Sequence, residues 1–270
     1  MHQDKEKRDM KNIIFTLALI TATCALYAQQ PDEQLRKHFA KCYFTDTCNT
    51  VLPYRLLSPL NVDSTKQYPV VLFLHGAGER GNDNEAQLTY MDKIFGSNSF
   101  RQKYPCYVIL PQCAEEYRWC ETDWTLPSHS MPDTISVYLN AANQLLDSIV
   151  NAVNADTSRL YITGMSMGGF GTWDLISRYP NKFAAAVPIC GGADLNMACI
   201  LKDMPIKTYH GSTDKLVKVT RTRNMTIAIH KCGGNKIDYT ELTGKGHLIW
   251  NYVYNQPSTF QWMFAQKKKK

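Results

Sequence analysis

The stretch Tyr161-Ile-Thr-Gly-Met-Ser-Met-Gly-Gly-Phe-Gly171 constrains the fold more than any other. It contains Gly164-x-Ser166-x-Gly168. That spacing suits a nucleophile elbow, a sharp strand-to-helix turn that lifts a serine hydroxyl above the end of a sheet. The serine backbone is strained there, and the incoming strand and outgoing helix come close together. Both facts ask for small residues two before and two after the serine. The flanks agree. Residues 160–163, Leu-Tyr-Ile-Thr, read as a short buried strand. Met167–Arg178 reads as a helix, with Phe170, Trp173, Leu175 and Ile176 apolar and Pro180 just past its end. The competing reading is a serine in an ordinary glycine-rich turn.

The rest of the chain alternates strands and helices. Val51–Leu57 reads as a first strand, near an edge because of Pro53. Residues 69–74, Pro-Val-Val-Leu-Phe-Leu, form a nearly continuous apolar run, as in a strand buried on both faces. Residues 107–110, 183–190 and 205–209 read as further buried strands, and 236–242 as an alternating one. Helices are expected over 133–153, 216–230 and Pro257–Ala265. This order predicts a mainly parallel, doubly wound α/β sheet with helices on both faces. Residues 112–132 make a long irregular connection of the kind that often carries function.

The first residues have a different character. Residues 1–11 are charged, and residues 13–26 are an uncharged, mostly apolar run ending close to Ala28. This pattern predicts a signal peptide over 1–28, cleaved near Ala28 or Ala25, and a catalytic domain over 29–270. The product would be exported, periplasmic or extracellular, with no stable membrane insertion, since no later run is long enough to span a bilayer. Met10 is an alternative start. The formal net charge is +6, and the lysines at 267–270 supply four of those charges. The folded body is nearly neutral, so a nucleic-acid partner is not expected. Eight cysteines follow the leader, and an oxidising compartment permits disulfides. Cys42/Cys48, Cys113/Cys120 and Cys190/Cys199 are candidate pairs by proximity in sequence, although connectivity stays open. Cys106 and Cys190 also fit buried strands as small hydrophobes. No His/Cys cluster has zinc-site spacing, so no metal is expected.

Functional groups in an open α/β sheet gather at the carboxyl ends of the strands. Three such ends carry chemistry: Ser166, then Asp214 in His210-Gly-Ser-Thr-Asp214, then His247 in Gly244-Lys-Gly-His247. A serine hydroxyl needs a base, and His247 would take its proton and later protonate the leaving group. Asp214 would fix the imidazole tautomer and stabilise its cation. An oxyanion needs backbone donors. Met167 N–H would be one, and the glycine-rich loop after Leu74 would give the other, from Ala77 ahead of Gly78. Glu79, Arg80 and Asp83 read as loop-fixing residues. Trp119 and Trp124 are candidates for the wall of an acyl or aromatic pocket.

These residues together resemble a family, the secreted bacterial carboxylesterases of the α/β-hydrolase superfamily, of phospholipase/carboxylesterase or predicted-peptidase type. The resemblance rests on Leu52-Pro-Tyr-Arg-Leu-Leu57, Leu74-His-Gly-Ala-Gly-Glu-Arg-Gly-Asn-Asp-Asn84, Pro111-Gln-Cys113 with Trp119, the elbow through Trp173, Phe183-Ala-Ala-Ala-Val-Pro-Ile-Cys-Gly-Gly192, and His247 ahead of Trp250. It runs from about residue 50 to the end. It implies an α/β-hydrolase fold, no cofactor, and Ser166, Asp214 and His247 as the triad. Relatives often have His-x-Asp or Glu-x-Asp where this chain has Gly211-Ser-Thr-Asp214, so the acid rests on Asp214 alone. The expected activity is hydrolysis of short-chain, aromatic or carbohydrate-linked esters, on small molecules or on polysaccharide. A serine peptidase of prolyl-oligopeptidase type is the alternative, and a non-catalytic binding module is a third reading.

Overall fold

Eight strands form one sheet in the order β1-β2-β4-β3-β5-β6-β7-β8. The structure, a computed structural model, describes residues 31–268. The expected signal peptide lies outside the described residues. The chain divides after Asp32, and all eight strands belong to the unit from Glu33 onward. The strands are β1 Phe39–Thr45, β2 Val51–Leu57, β3 Val70–Leu74, β4 Tyr107–Pro111, β5 Leu160–Met165, β6 Ala185–Ile189, β7 Ile206–Gly211 and β8 Ile237–Leu242. The helices, in chain order, are α1 Glu33–Arg36, α2 Met91–Phe95, α3 Asn98–Lys103, α4 Val137–Ala152, α5 Met167–Arg178, α6 Thr220–Lys231, α7 Trp250–Tyr254 and α8 Pro257–Ala265. Strands β4, β3, β5, β6, β7 and β8 run parallel to their neighbours, while β1–β2 and β2–β4 are antiparallel. This is the mainly parallel, doubly wound α/β sheet expected from the alternation.

The continuous apolar run in β3 has a direct cause. Its side chains alternate between two cores. Val70, Leu72 and Leu74 point to the face covered by α4, α5 and α6, while Val71 and Phe73 point to the face covered by α2, α3, α7 and α8. All five are fully buried. Burying an aliphatic or aromatic side chain contributes about 1.5–3 kcal/mol, so a central strand filled on both faces favours apolar residues along its whole length.

The expectations fail at edges and ends. Val51–Leu57 is the second strand. β1 precedes it and was not legible, because Phe39 is its one buried residue. Pro53 lies opposite Gln112 at the end of the β2–β4 ladder, where it accepts from the Gln112 amide at 2.8 Å and returns no donor. Helix α4 starts at Val137 rather than 133 because Ser136 caps it, its Oγ accepting from Leu139 N at 3.3 Å. Strand β7 runs on through His210 and Gly211, and α6 begins only at Thr220. The five residues of α2 and of α7 are too few to show a helical period.

The cysteine pairing also differs. Cys199 is bonded to Cys232, 33 residues away, and Cys42, Cys48, Cys106, Cys113, Cys120 and Cys190 are free. None of the three sequence-adjacent pairs forms. Cys113 and Cys120 sit in different side-chain clusters, and Cys190 points its thiol at the His247 carbonyl. The segment around Cys199 instead meets the end of α6, where a side chain on Gly234 would press on Lys202.

Candidate active site

Strand β5 ends at Met165, and Ser166 turns the chain into α5 with φ 54° and ψ −117°. Such a left-handed backbone is strained for any residue but glycine. The turn persists because its surroundings fix it. Ser166 N donates to Ile189 O at 2.9 Å, and Phe170 N donates to Ser166 O at 3.1 Å. A Cβ on Gly164 would overlap Gly168 O, and one on Gly168 would overlap Leu74 O. The two glycines therefore let β5, α5 and the end of β3 touch. Met167 is the first residue of α5, so its amide has no acceptor within the helix.

Three strand ends converge on Ser166. His247 Nε2 lies 2.8 Å from Ser166 Oγ, and His247 Nδ1 lies 2.6 Å from Asp214 Oδ2. Gly211 makes the approach possible, since a Cβ there would overlap Gly246 O in the loop that carries His247. Asp214 is the carboxylate that reaches His247. Asp203 is exposed, and Asp238 pairs with Lys207 on the far strands. The Asp214 side chain has no exposed surface. Burial by itself would raise its pKa. Hydrogen bonds from His210, His247 and the Val217 amide outweigh burial and hold the carboxyl well below the usual range.

His210 was not recognised from the sequence. Its Nε2 faces Asp214 Oδ2 at 3.1 Å and Val217 O at 3.0 Å, and its Nδ1 lies 2.8 Å from Thr222 Oγ1. Two acceptors at Nε2 place a proton there, so His210 donates to the same carboxylate oxygen as His247. The one sequence signal was a histidine at a strand end four residues before an aspartate. Cys190, His210 and Asp214 also bring potential ligand atoms within 4.8 Å of one another. In this arrangement each is engaged in hydrogen bonds around His247 and Asp214.

The loop after β3 covers the other side of Ser166. A Cβ on Gly76 would lie 3.7 Å from Ser166 Cβ. His75 is fully buried, and burial lowers its pKa to about 4. Its Nε2 accepts from Cys113 N at 3.0 Å, so its Nδ1 carries the proton and donates to Gly76 O at 2.6 Å. In a trans peptide the N–H points opposite to the C=O, so the Ala77 amide is turned away from His75. Arg80 and Asp83 are engaged within the loop. Arg80 donates to Ala77 O and Glu115 O, and Asp83 accepts from the Glu85 and Ala86 amides. Glu79 differs from both. It is 9% exposed, and burial raises its pKa to about 7 against hydrogen bonds from the Gly76 amide and its own.

The two tryptophans are placed differently. Trp119 is fully buried. Its Nε1 donates to His75 O at 3.0 Å, and its Cβ lies where a side chain on Gly171 would stand, at 2.5 Å. It is a core residue that anchors the loop after β3. Trp124 is half-buried with the Arg118 guanidinium over its ring at 4.5 Å. The loop that carries both is pinned by Arg221, which donates to Leu126 O at 2.7 Å and Asp123 O at 2.8 Å.

The phospholipase/carboxylesterase family pattern matches residues 60–260. Among solved structures, a thermostable esterase is 33% identical with a TM-score of 0.80, over 87% of this chain and 64% of that one. A bifunctional acetylxylan esterase/xylanase of Neocallimastix patriciarum is 26% identical over 149 residues, 55% of this chain and 20% of the relative. Acetylxylan esterase A of Emericella nidulans is 32% identical over 115 residues, 42% of this chain and 36% of the relative. The chain thus spans between a fifth and about a third of the length of these two curated relatives. With the elbow, the strand order and a match over most of the sequence, the chain belongs to the phospholipase/carboxylesterase family of α/β-hydrolases.

Proposed function

We propose that the protein is an exported serine esterase that acts on esters of small acyl groups, free or carbohydrate-linked, through an acyl-enzyme on Ser166. The observation that carries this reading is the unbroken line from Ser166 Oγ to His247 to Asp214, at 2.8 and 2.6 Å, on a strained elbow. Its chemistry follows from the geometry. As Ser166 Oγ bonds to the ester carbonyl carbon, its proton passes to His247 Nε2. The carbonyl oxygen gains the negative charge and meets the amides of Met167 and Ala77. Collapse of the intermediate breaks the bond to the alcohol oxygen, which takes the proton from His247. Water then repeats both steps and releases the acid. Asp214 stays ionised throughout and stabilises the imidazolium.

Export, with a signal peptide over 1–28 ahead of a catalytic domain over 29–270, belongs to the same proposal. The Cys199–Cys232 disulfide supports it, since such bonds persist in oxidising compartments. The two acetylxylan esterases support a small acyl group on a carbohydrate. No helix among the described residues is long and apolar enough to cross a membrane. The test is labelling with a fluorophosphonate, followed by Ser166→Ala. Wild type should label and hydrolyse aryl acetates. The variant should do neither, with a kcat loss on the order of 10⁴-fold or more. Ester turnover that survives in the variant places the active site elsewhere.

A further inference from the structure

Glu79 is a carboxyl beside the nucleophile that the proposed reaction does not use. Its Oε2 lies 3.0 Å from the point where a Gly76 Cβ would stand, and Ser166 Cβ lies 3.7 Å from that same point. Among the described residues it has no ion-pair partner. The adjacent Arg80 is directed to Ala77 O and Glu115 O instead. A buried carboxyl is costly unless it is hydrogen-bonded, and here only backbone amides serve it.

The aromatic neighbours say which part of a substrate would meet it. Tyr90 is close enough to Glu79 to feel its charge, and burial together with that charge raises its pKa. Its ring meets that of Trp250 edge to face with centroids 5.7 Å apart. Trp250 in turn stands edge to face with His247 at 5.5 Å. Tyr90, Trp250 and His247 thus follow one another ring to ring, from the neighbourhood of Glu79 to the histidine bonded to Ser166. His247 is the group that protonates the leaving oxygen, so the alcohol half of the ester would lie along this line.

We propose that Glu79 and Tyr90 form a binding subsite for a hydroxyl-bearing ring on the alcohol half of the ester. The inference rests on the serine-esterase reading above and names its substrate class. A carboxyl beside the nucleophile offers both a donor and an acceptor, as a hydroxyl does. An aromatic ring offers its face to the C–H side of a sugar-like ring. Together they discriminate a polyol ester from a plain one by hydrogen bonding, which a purely apolar wall does poorly.

The experiment compares the full chain on cyclohexyl acetate, 2-hydroxycyclohexyl acetate and a monoacetylated methyl xyloside. In wild type the two hydroxyl-bearing esters should have kcat/KM about tenfold above the plain ester. Glu79→Leu should bring that ratio close to one, chiefly through KM, and Glu79→Gln should regain most of it. Tyr90→Ala should lower the ratio as well, and it carries the test if the Leu variant does not fold. A ratio near one in wild type, or one unchanged across the variants, overturns the assignment. So does a larger gain from an aminocyclohexyl acetate, which would identify a cation site. Hydrolysis of cyclohexyl acetate by wild type isolates this failure from that of the serine-esterase reading. Loss of all three esters overturns that reading too.

Discussion

Two buried carboxyls flank Ser166, and they behave in opposite ways. Asp214, on the side of β7, has no exposed side-chain surface, and Glu79, on the side of β3, is 9% exposed. Burial pushes both toward the neutral acid. Asp214 is met by His210, His247 and the Leu216 and Val217 amides, and these hold it ionised. Glu79 is met by the Gly76 amide and its own, and burial prevails, at about 7. Depth does not assign the role of a carboxyl. The number and charge of its donors do.

The largest effect that could break this contrast is catalytic. Asp214→Asn should lower kcat on the order of 10⁴-fold by stabilising the wrong tautomer of His247, while Glu79→Gln should leave most of the turnover of plain esters. Steady-state kinetics on both variants decide it. A mild Asp214 effect beside a severe Glu79 effect would exchange the two roles.

The next test concerns how each carboxyl is held in place. The Glu79 side depends on packing, because the loop after β3 hangs on Trp119 through His75 O. Trp119→Ala should cost about 3–5 kcal/mol in urea unfolding, as large-to-small changes in a core do. A variant of wild-type stability with only a raised KM would restore Trp119 as a pocket wall.

The third test uses the sign of the pKa shifts. Glu79 binds its proton more tightly in the folded chain, at about 7, than unfolded, near 4.5. Its contribution to stability is fully present below about pH 4.5 and is lost as pH rises through 7. Glu79→Gln should remove that loss and gain about 2–3 kcal/mol over wild type at pH 8. Asp214 has the opposite sign. Its contribution is present above 3.8 and lost as pH falls, so Asp214→Asn should flatten the acid limb. Thermal unfolding across pH measures both. A Glu79→Gln curve parallel to wild type would mean that Glu79 binds its proton equally tightly folded and unfolded.

The smallest effect sharpens the account of the donors. His210→Phe removes one hydrogen bond to Asp214 and should lower kcat about tenfold with little change in KM. An unchanged kcat would mean that His247 and the two amides suffice.

Much of this site was legible because its determinants are local. The elbow needs glycines at fixed offsets from Ser166, and the helix after it shows its own period. The buried strands β3, β4 and β6 declare themselves as apolar runs, since both of their faces are covered. Asp214 and His247 could be placed because α/β sheets put chemistry at strand ends. The edge strand β1 escaped notice because Tyr43 faces water between the partly buried Cys42 and Phe44, which breaks the alternation of apolar and polar residues that marks a half-buried strand.

Sequence by itself therefore determined the fold class, the order of its main elements and the three residues offered as a triad. Each of these depends on short-range geometry or on a repeating pattern of burial. Tertiary structure alone decided that Cys199 meets Cys232, that Trp119 turns inward, and that His210 and Glu79 stand close to Asp214 and Ser166. Those outcomes depend on which segments meet after folding. A residue's environment at that range is set by side chains dozens of positions away, and no local spacing encodes it.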